Sequence, residues 1–314
     1  MGRMCKLPTR RIAALLACCS LLLTSCATGR RMRTTVETPA THRQIYALAD
    51  LHWPDALYYK PAGPASDLDV YAAPLILQEV QPAGRIGRVR VDENGRPAVE
   101  AGTPTVYYGR SRCTLDGREY EQLIFLWFYA QSVEAGRSSS LPVQGIRITL
   151  DSEGLPLIWE TMASDQPTRV IFASKRLETL ARQQYGPPLP GRLHSLETAV
   201  ASDGVASDAV ASEPGAIVAR VLEDGPLPMG PIVYLLRDGS IGTLTCRCMP
   251  SQVDNFVETL PYELASLQEL ADLGLRDLDW ITDQQSAAVY LAFTLDVAQD
   301  LPPLSERLRL PDDF

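Results

Sequence analysis

Leu123-Ile124-Phe125-Leu126-Trp127-Phe128-Tyr129 is apolar at every position. An extended chain sends successive side chains to opposite faces of a sheet. A strand that is apolar on both faces needs cover on both faces, so this segment is read as a central, fully buried strand. The rest of the chain is organised around it.

Upstream, Ile86–Val91 and Pro97–Glu100 flank Asp92-Glu93-Asn94-Gly95. Asn-Gly accepts the positive φ of a tight hairpin turn. Downstream, residues 145–150 and 157–160 flank Asp151-Ser152-Glu153-Gly154, a second hairpin. Residues 169–173 read as a further strand. Ser174 caps a helix through about Tyr185, with Leu177, Leu180 and Ala181 on one face. Gly186 and Pro187 end it.

Farther out, a first helix is expected over residues 42–52, a loop over 60–69 and strand-like runs from about Val70. Residues 216–222, 231–236 and 240–248 read as strands, the last two joined at Asp238-Gly239. Leu260, Leu264, Leu267 and Leu270 form a stripe that predicts a helix over 253–273, with Pro261 near its start. Residues 287–297 are apolar, and 301–314 read as an extended tail. The whole is expected to be α+β, a mostly antiparallel sheet built from hairpins with a few flanking helices.

Residues 200–214 read VASDGVASDAVASEP, one small, acidic five-residue unit written three times. It has little to bury and is expected to be a linker or surface loop. It lacks the ligand spacing of a calcium loop. It divides an α+β part over 42–199 from a second part over 215–314, which can be continuous with the first.

The N-terminus carries Arg3, Lys6, Arg10 and Arg11, then the apolar run Ile12 to Leu23, then Leu23-Thr24-Ser25-Cys26. A basic start before a short apolar run is an export signal. The run is shorter than the roughly 20 residues of a membrane-spanning helix. Leu23-Thr24-Ser25-Cys26 resembles the lipobox of bacterial lipoproteins. The resemblance covers only this leader. It implies a signal peptide over 1–25, cleavage before Cys26, and a diacylglyceryl group on the Cys26 thiol with acylation of the new amine, commonly by palmitate. It also implies a lipid-anchored tether over 26–41 in the cell envelope. Ala27 follows the cysteine, which resembles sorting to the periplasmic face of the outer membrane rather than the inner membrane. Arg30, Arg31 and Arg33 in the tether can meet lipid phosphates or simply stay solvated.

The chain of 314 residues is 46% hydrophobic and 21% charged, a globular balance. Without residues 1–25, 25 basic side chains face 38 acidic ones, a net charge of −13. That repels nucleic acid, whose binding rests on Lys and Arg neutralising phosphates.

Apart from Cys26, the mature chain has Cys113, Cys246 and Cys248. An oxidising envelope favours one disulfide between Cys113 and either Cys246 or Cys248, with one thiol left over, unless all three are simply small buried residues. A metal site of the three thiolates, completed by His52 or His194, is a second reading, and a redox dithiol at Cys246-Arg247-Cys248 a third. His42, His52 and His194 show no metal-ligand spacing, and there is no nucleophile elbow, phosphate loop or dinucleotide fingerprint. No cofactor is expected. Glu119, Glu121 and Glu160 are candidates for a carboxylate pair, although carboxylates beside strands are usually solvated. Trp53, Tyr58, Tyr59, Tyr107 and Tyr108 are candidates for a groove or for core. The 187–192 and 227–231 loops, rich in Pro and Gly, are read as rigid turns or recognition loops.

The sequence therefore leads to a lipid-anchored envelope protein, a non-catalytic binding or structural module. Its expected partners are membrane lipid through Cys26 and an envelope protein. The alternative is an envelope metal-binding or redox protein centred on Cys113, Cys246 and Cys248.

Overall fold

A computed structural model describes residues 43, 56–63, 72–79, 84–130, 143–162, 169–199, 216–223, 230–236, 239–245, 259–274, 304–312 and 314. The strands are β1 (Ala56–Pro61), β2 (Leu75–Glu79), β3 (Ile86–Val91), β4 (Pro97–Glu100), β5 (Thr105–Leu115), β6 (Arg118–Tyr129), β7 (Val143–Leu150), β8 (Pro156–Met162), β9 (Arg169–Ser174), β10 (Ala216–Leu222), β11 (Ile232–Leu235), β12 (Ile241–Thr245) and β13 (Thr259–Ser266). Helices α1 (Lys175–Tyr185), α2 (Leu267–Asp272) and the single turn α3 (Leu304–Arg307) accompany them.

The strand containing Leu123 to Tyr129 is central, as its composition demands. β6 pairs antiparallel with β5 along one edge and with β7 and, at its end, β3. All seven of those residues are buried. Asp116 and Gly117 both take positive φ, 46° and 79°, and turn β5 into β6, the geometry of a two-residue hairpin loop. The two hairpins read from sequence are present. In each, an aspartate fixes the turn: Asp92 Oδ1 accepts from the Asn94 and Arg96 N–H groups, and Asp151 Oδ1 from Glu153 and Leu155. In β7, Gly145 lies against β6 so closely that a Cβ would sit 2.6 Å from the Phe125 carbonyl oxygen. Only glycine permits that approach.

The sheet runs β10-β9-β8-β7-β6-β5-β13-β1-β2-β11-β12. Its two end strands, β10 and β12, approach within 8 Å between Cα atoms, so the sheet curls almost into a closed barrel. Tyr59, Phe125, Trp127, Tyr129, Trp159, Phe172 and Tyr262 fill its interior, with Leu222 of β10 and Leu244 of β12 in the same cluster. Strands from both sides of the 200–214 repeat interleave in this order, so the two parts of the chain share one sheet.

The expected α+β class with a mostly antiparallel sheet is met in part. Among the described residues the fold is mostly β, and the sheet is mixed. Most of its pairs are antiparallel, largely between strands consecutive in the chain, but β1 with β13, β13 with β5, β2 with β11, and β9 with β10 are parallel.

One strand replaces an expected helix. Residues 259–266 form β13, and helix begins only at Leu267, capped by the Ser266 side chain. A four-residue spacing fits a helix turn and also two strand repeats, so Leu260 and Leu264 matched both patterns. Tyr262 decides between them, since it shares the inner face with both leucines. Pro261 is tolerated inside the sheet. Glu263 N–H donates to Pro104 O, while Tyr262 O accepts from Ala62. The N–H that Pro261 lacks would face the β5 side, ahead of the paired stretch that begins opposite Thr105.

α1 follows β9 as read. The Ser174 hydroxyl accepts from Leu177 N–H, and Gly186, with φ 81°, closes the C-terminus through a bond to Arg182 O. The final residues are not a free tail: Leu304, Leu308 and Leu310 are buried with α1, β9 and β10. The expected elements over 42–52 and 287–297, the tether and the repeat lie outside the described residues, apart from Arg43. No described helix is long and apolar enough to cross a membrane.

Candidate functional site

The strands that point aromatics inward carry charge outward. Arg147 of β7 lies directly opposite Glu160 of β8, so the two side chains share the outer face. The Arg147 guanidinium donates to both carboxylate oxygens of Glu160, at 2.7 and 2.9 Å. Arg169 of β9, on the same face, reaches Glu160 at 3.4 Å. Arg307 of α3 adds its charge to the same field. Glu160 is 3% exposed and Arg169 5%.

Burial pushes the Glu160 carboxyl up, but the charge and hydrogen bonds of Arg147 and the charges of Arg169 and Arg307 outweigh it. The net effect holds the carboxyl below the ordinary glutamate value. A general acid or base at neutral pH needs the opposite shift. Glu160 is fixed as an anion.

Two more buried carboxylates accept hydrogen bonds from backbone N–H groups. Glu178 of α1 accepts from the Ser195 and Leu196 N–H groups at 2.9 and 3.3 Å. Glu197 accepts from Leu193, His194 and Val218 N–H. Together they pin residues 193–197 against α1 and β10. The Pro-rich loop ahead of them is a turn, in which Arg192 N–H donates to Leu189 O and its side chain to Thr198 O.

Cys113, on β5, is a free, half-buried thiol. Burial, then the nearby Glu160 anion, push its pKa up to about 11, against smaller opposing effects of Arg147 and a Thr149 hydrogen bond. It is a protonated thiol at neutral pH, unlike a reactive thiolate. His194 is partly buried, and desolvation lowers its pKa despite Glu197 and Glu178. The two candidates therefore have different charged neighbours. Cys26, Cys246, Cys248, His42, His52 and Trp53 lie outside the described residues. Among the described residues, no three His, Cys, Asp or Glu side chains gather in a way that could hold a metal ion.

Glu119 and Glu121 do not join Glu160. They face solvent near the β5–β6 turn, in ion pairs with Arg112 and Arg110. Tyr58, Tyr59 and Tyr107 are buried. The Tyr107 hydroxyl accepts from Val89 N–H at 2.9 Å, and its ring meets Phe128 edge-on. These three are core rather than an open groove.

No family model, curated protein or solved structure matches the chain. The site is therefore read from its own chemistry. Arg147, Arg169, Glu178, Glu197 and Arg307 were not singled out in the sequence. Their signal was present in part: Arg147 and Glu160 are the sole charged residues of β7 and β8, largely buried strands where an unpaired charge would be costly.

Proposed function

We propose that this protein is a lipid-anchored module of the cell envelope that acts as a binding or structural element rather than by catalysis. One observation carries the non-catalytic part. Glu160, Glu178 and Glu197 are buried carboxylates, each occupied by arginine or backbone N–H donors. Such donor sets hold geometry, and Glu160, whose arginines keep its carboxyl below the ordinary glutamate value, is not poised to exchange protons at neutral pH.

The anchor rests on Leu23-Thr24-Ser25-Cys26 after a basic, apolar leader. One acyl chain binds a bilayer marginally and two or more bind stably, so the diacylglyceryl group on Cys26 would carry the attachment. Ala27 favours the periplasmic face of the outer membrane. The net negative mature chain suits an envelope protein as partner and disfavours nucleic acid.

Replacing Cys26 with Ser tests the anchor. The variant should leave the membrane fraction or accumulate as precursor, and labelled palmitate should attach to wild type alone. Normal processing and lipidation of Cys26→Ser would refute the anchor.

A further inference from the structure

The outer face beside the charge cluster is partly covered by the last residues of the chain. Leu304, Leu308 and Leu310 sink among Leu177, Ala181 and Leu196. Around them the fixations are peptide-like. Arg309 N–H donates to Leu196 O at 2.7 Å. Thr198 Oγ donates to Arg307 O at 3.3 Å, and Gln184 Oε1 accepts from Asp312 N–H at 2.9 Å. The Tyr185 hydroxyl donates to Leu310 O, and the Tyr120 hydroxyl to Phe314 O. Phe314 stacks on Tyr120 with centroids 5.2 Å apart, and Arg309 lies over the Tyr185 ring at 4.6 Å.

Two features separate this segment from the sheet. Its backbone meets the rest of the described fold in an isolated bridge, Glu197 opposite Leu308, rather than in a ladder. The groove walls are also set by bonds that do not involve it. Glu178 holds Ser195 and Leu196, Glu197 holds Val218, and Ser174 caps α1. These walls are thus held by bonds that the segment does not make. A segment outside any strand ladder opens at lower local free energy than the paired core strands.

We infer that this groove is a peptide-binding site whose resident ligand is the chain's own C-terminus. Residues 304–314 leave and re-enter as a unit while the barrel stays folded. The ligand class is a peptide that makes one helical turn and runs on through two leucines one residue apart to an aromatic residue four positions beyond the second. Carbonyl capture by Tyr120 and Tyr185 fixes its direction. The inference does not depend on the lipid anchor. Tethering gives the resident segment a high effective concentration, so a free peptide competes poorly until the resident segment is weakened.

Hydrogen exchange on the full wild-type chain tests the first half. The N–H groups of Leu308, Arg309 and Asp312 should exchange together and faster than those of Ile171 and Val218. Exchange of both sets at one rate would overturn the proposal. A fluorescein-labelled peptide, LSERLRLPDDF, tests the second half by anisotropy. It should bind a full-length Leu310→Ala/Phe314→Ala chain at least tenfold more tightly than wild type. The same peptide carrying Leu308→Asp and Leu310→Asp should not bind. Equal behaviour of the two peptides on the variant would also overturn it.

Discussion

On the inner face of β6 to β9, burial is carried by Phe125, Trp127, Ile146, Ile148, Trp159 and Phe172. On the outer face of the same strands it is carried partly by Arg147, Glu160 and Arg169. The inner contacts are non-directional and gain from area removed from water. The outer ones are directional, and each buried charge is tolerated only because its partner is in place. The inner face therefore drives the sheet to curl. The outer face specifies what docks on it, namely α1, residues 193–197 and the C-terminal strap.

Trp127→Ala should be the most damaging change, since Trp127 is fully buried and donates to the Tyr129 hydroxyl at 2.8 Å. Urea unfolding should show a loss of about 4 kcal/mol. A loss as small as that of a surface residue would undo the claim that the interior drives folding.

Glu160→Ala should cost about 3 kcal/mol, because it leaves buried Arg169 and partly buried Arg147 without their shared anion. Adding Arg147→Met should recover part of that loss, whereas independent losses would simply add. Measured additivity of the two changes would show that the outer face is not a coupled network.

Phe314→Ala removes one stacked aromatic pair, worth about 1 kcal/mol. Its effect should be confined to the strap. Exchange protection should fall at Arg309 and stay unchanged at Phe125 and Trp127 of β6. Loss of protection in both would merge the strap with the inner core.

Deleting one repeat unit, residues 205–209, should change stability by less than about 0.5 kcal/mol, since loop closure depends weakly on length. A larger loss would show that the repeat contributes contacts of its own.

These differences also explain what the sequence disclosed. The hairpins were legible because their turns are written locally, in Asn94-Gly95 and Glu153-Gly154. Asp116-Gly117 carries the same kind of signal and joins the two longest strands. The central strand was legible because Leu123 to Tyr129 admits no exposed face. Barrel closure and parallel pairing were not legible, since β13 meets β1 and β5 across more than a hundred residues and no local residue encodes that distance. The stripe through Leu260 and Leu264 pointed to helix because four-residue spacing fits both structures. In the candidate site, Cys113, His194 and Glu160 attracted notice as residue types. Their roles depended on neighbours brought by tertiary contact: Arg147 for Glu160, Glu160 for Cys113, and Glu178 and Glu197 for the segment that holds His194.

The Glu160 environment also sets a pH dependence. Its folded value lies below the 4.5 of an unperturbed glutamate. The stability it contributes is therefore complete above pH 4.5 and is lost as pH falls through the lowered folded value. Below that range wild type and Glu160→Gln should converge.

The most direct measurement is a carbon-13 NMR titration of the Glu160 side-chain carboxyl, assigned by comparison with Glu160→Gln. A structural, arginine-bound anion should titrate below pH 4.5. A midpoint near neutral pH would make Glu160 a poised proton donor or acceptor, and would contradict the non-catalytic reading of the outer face.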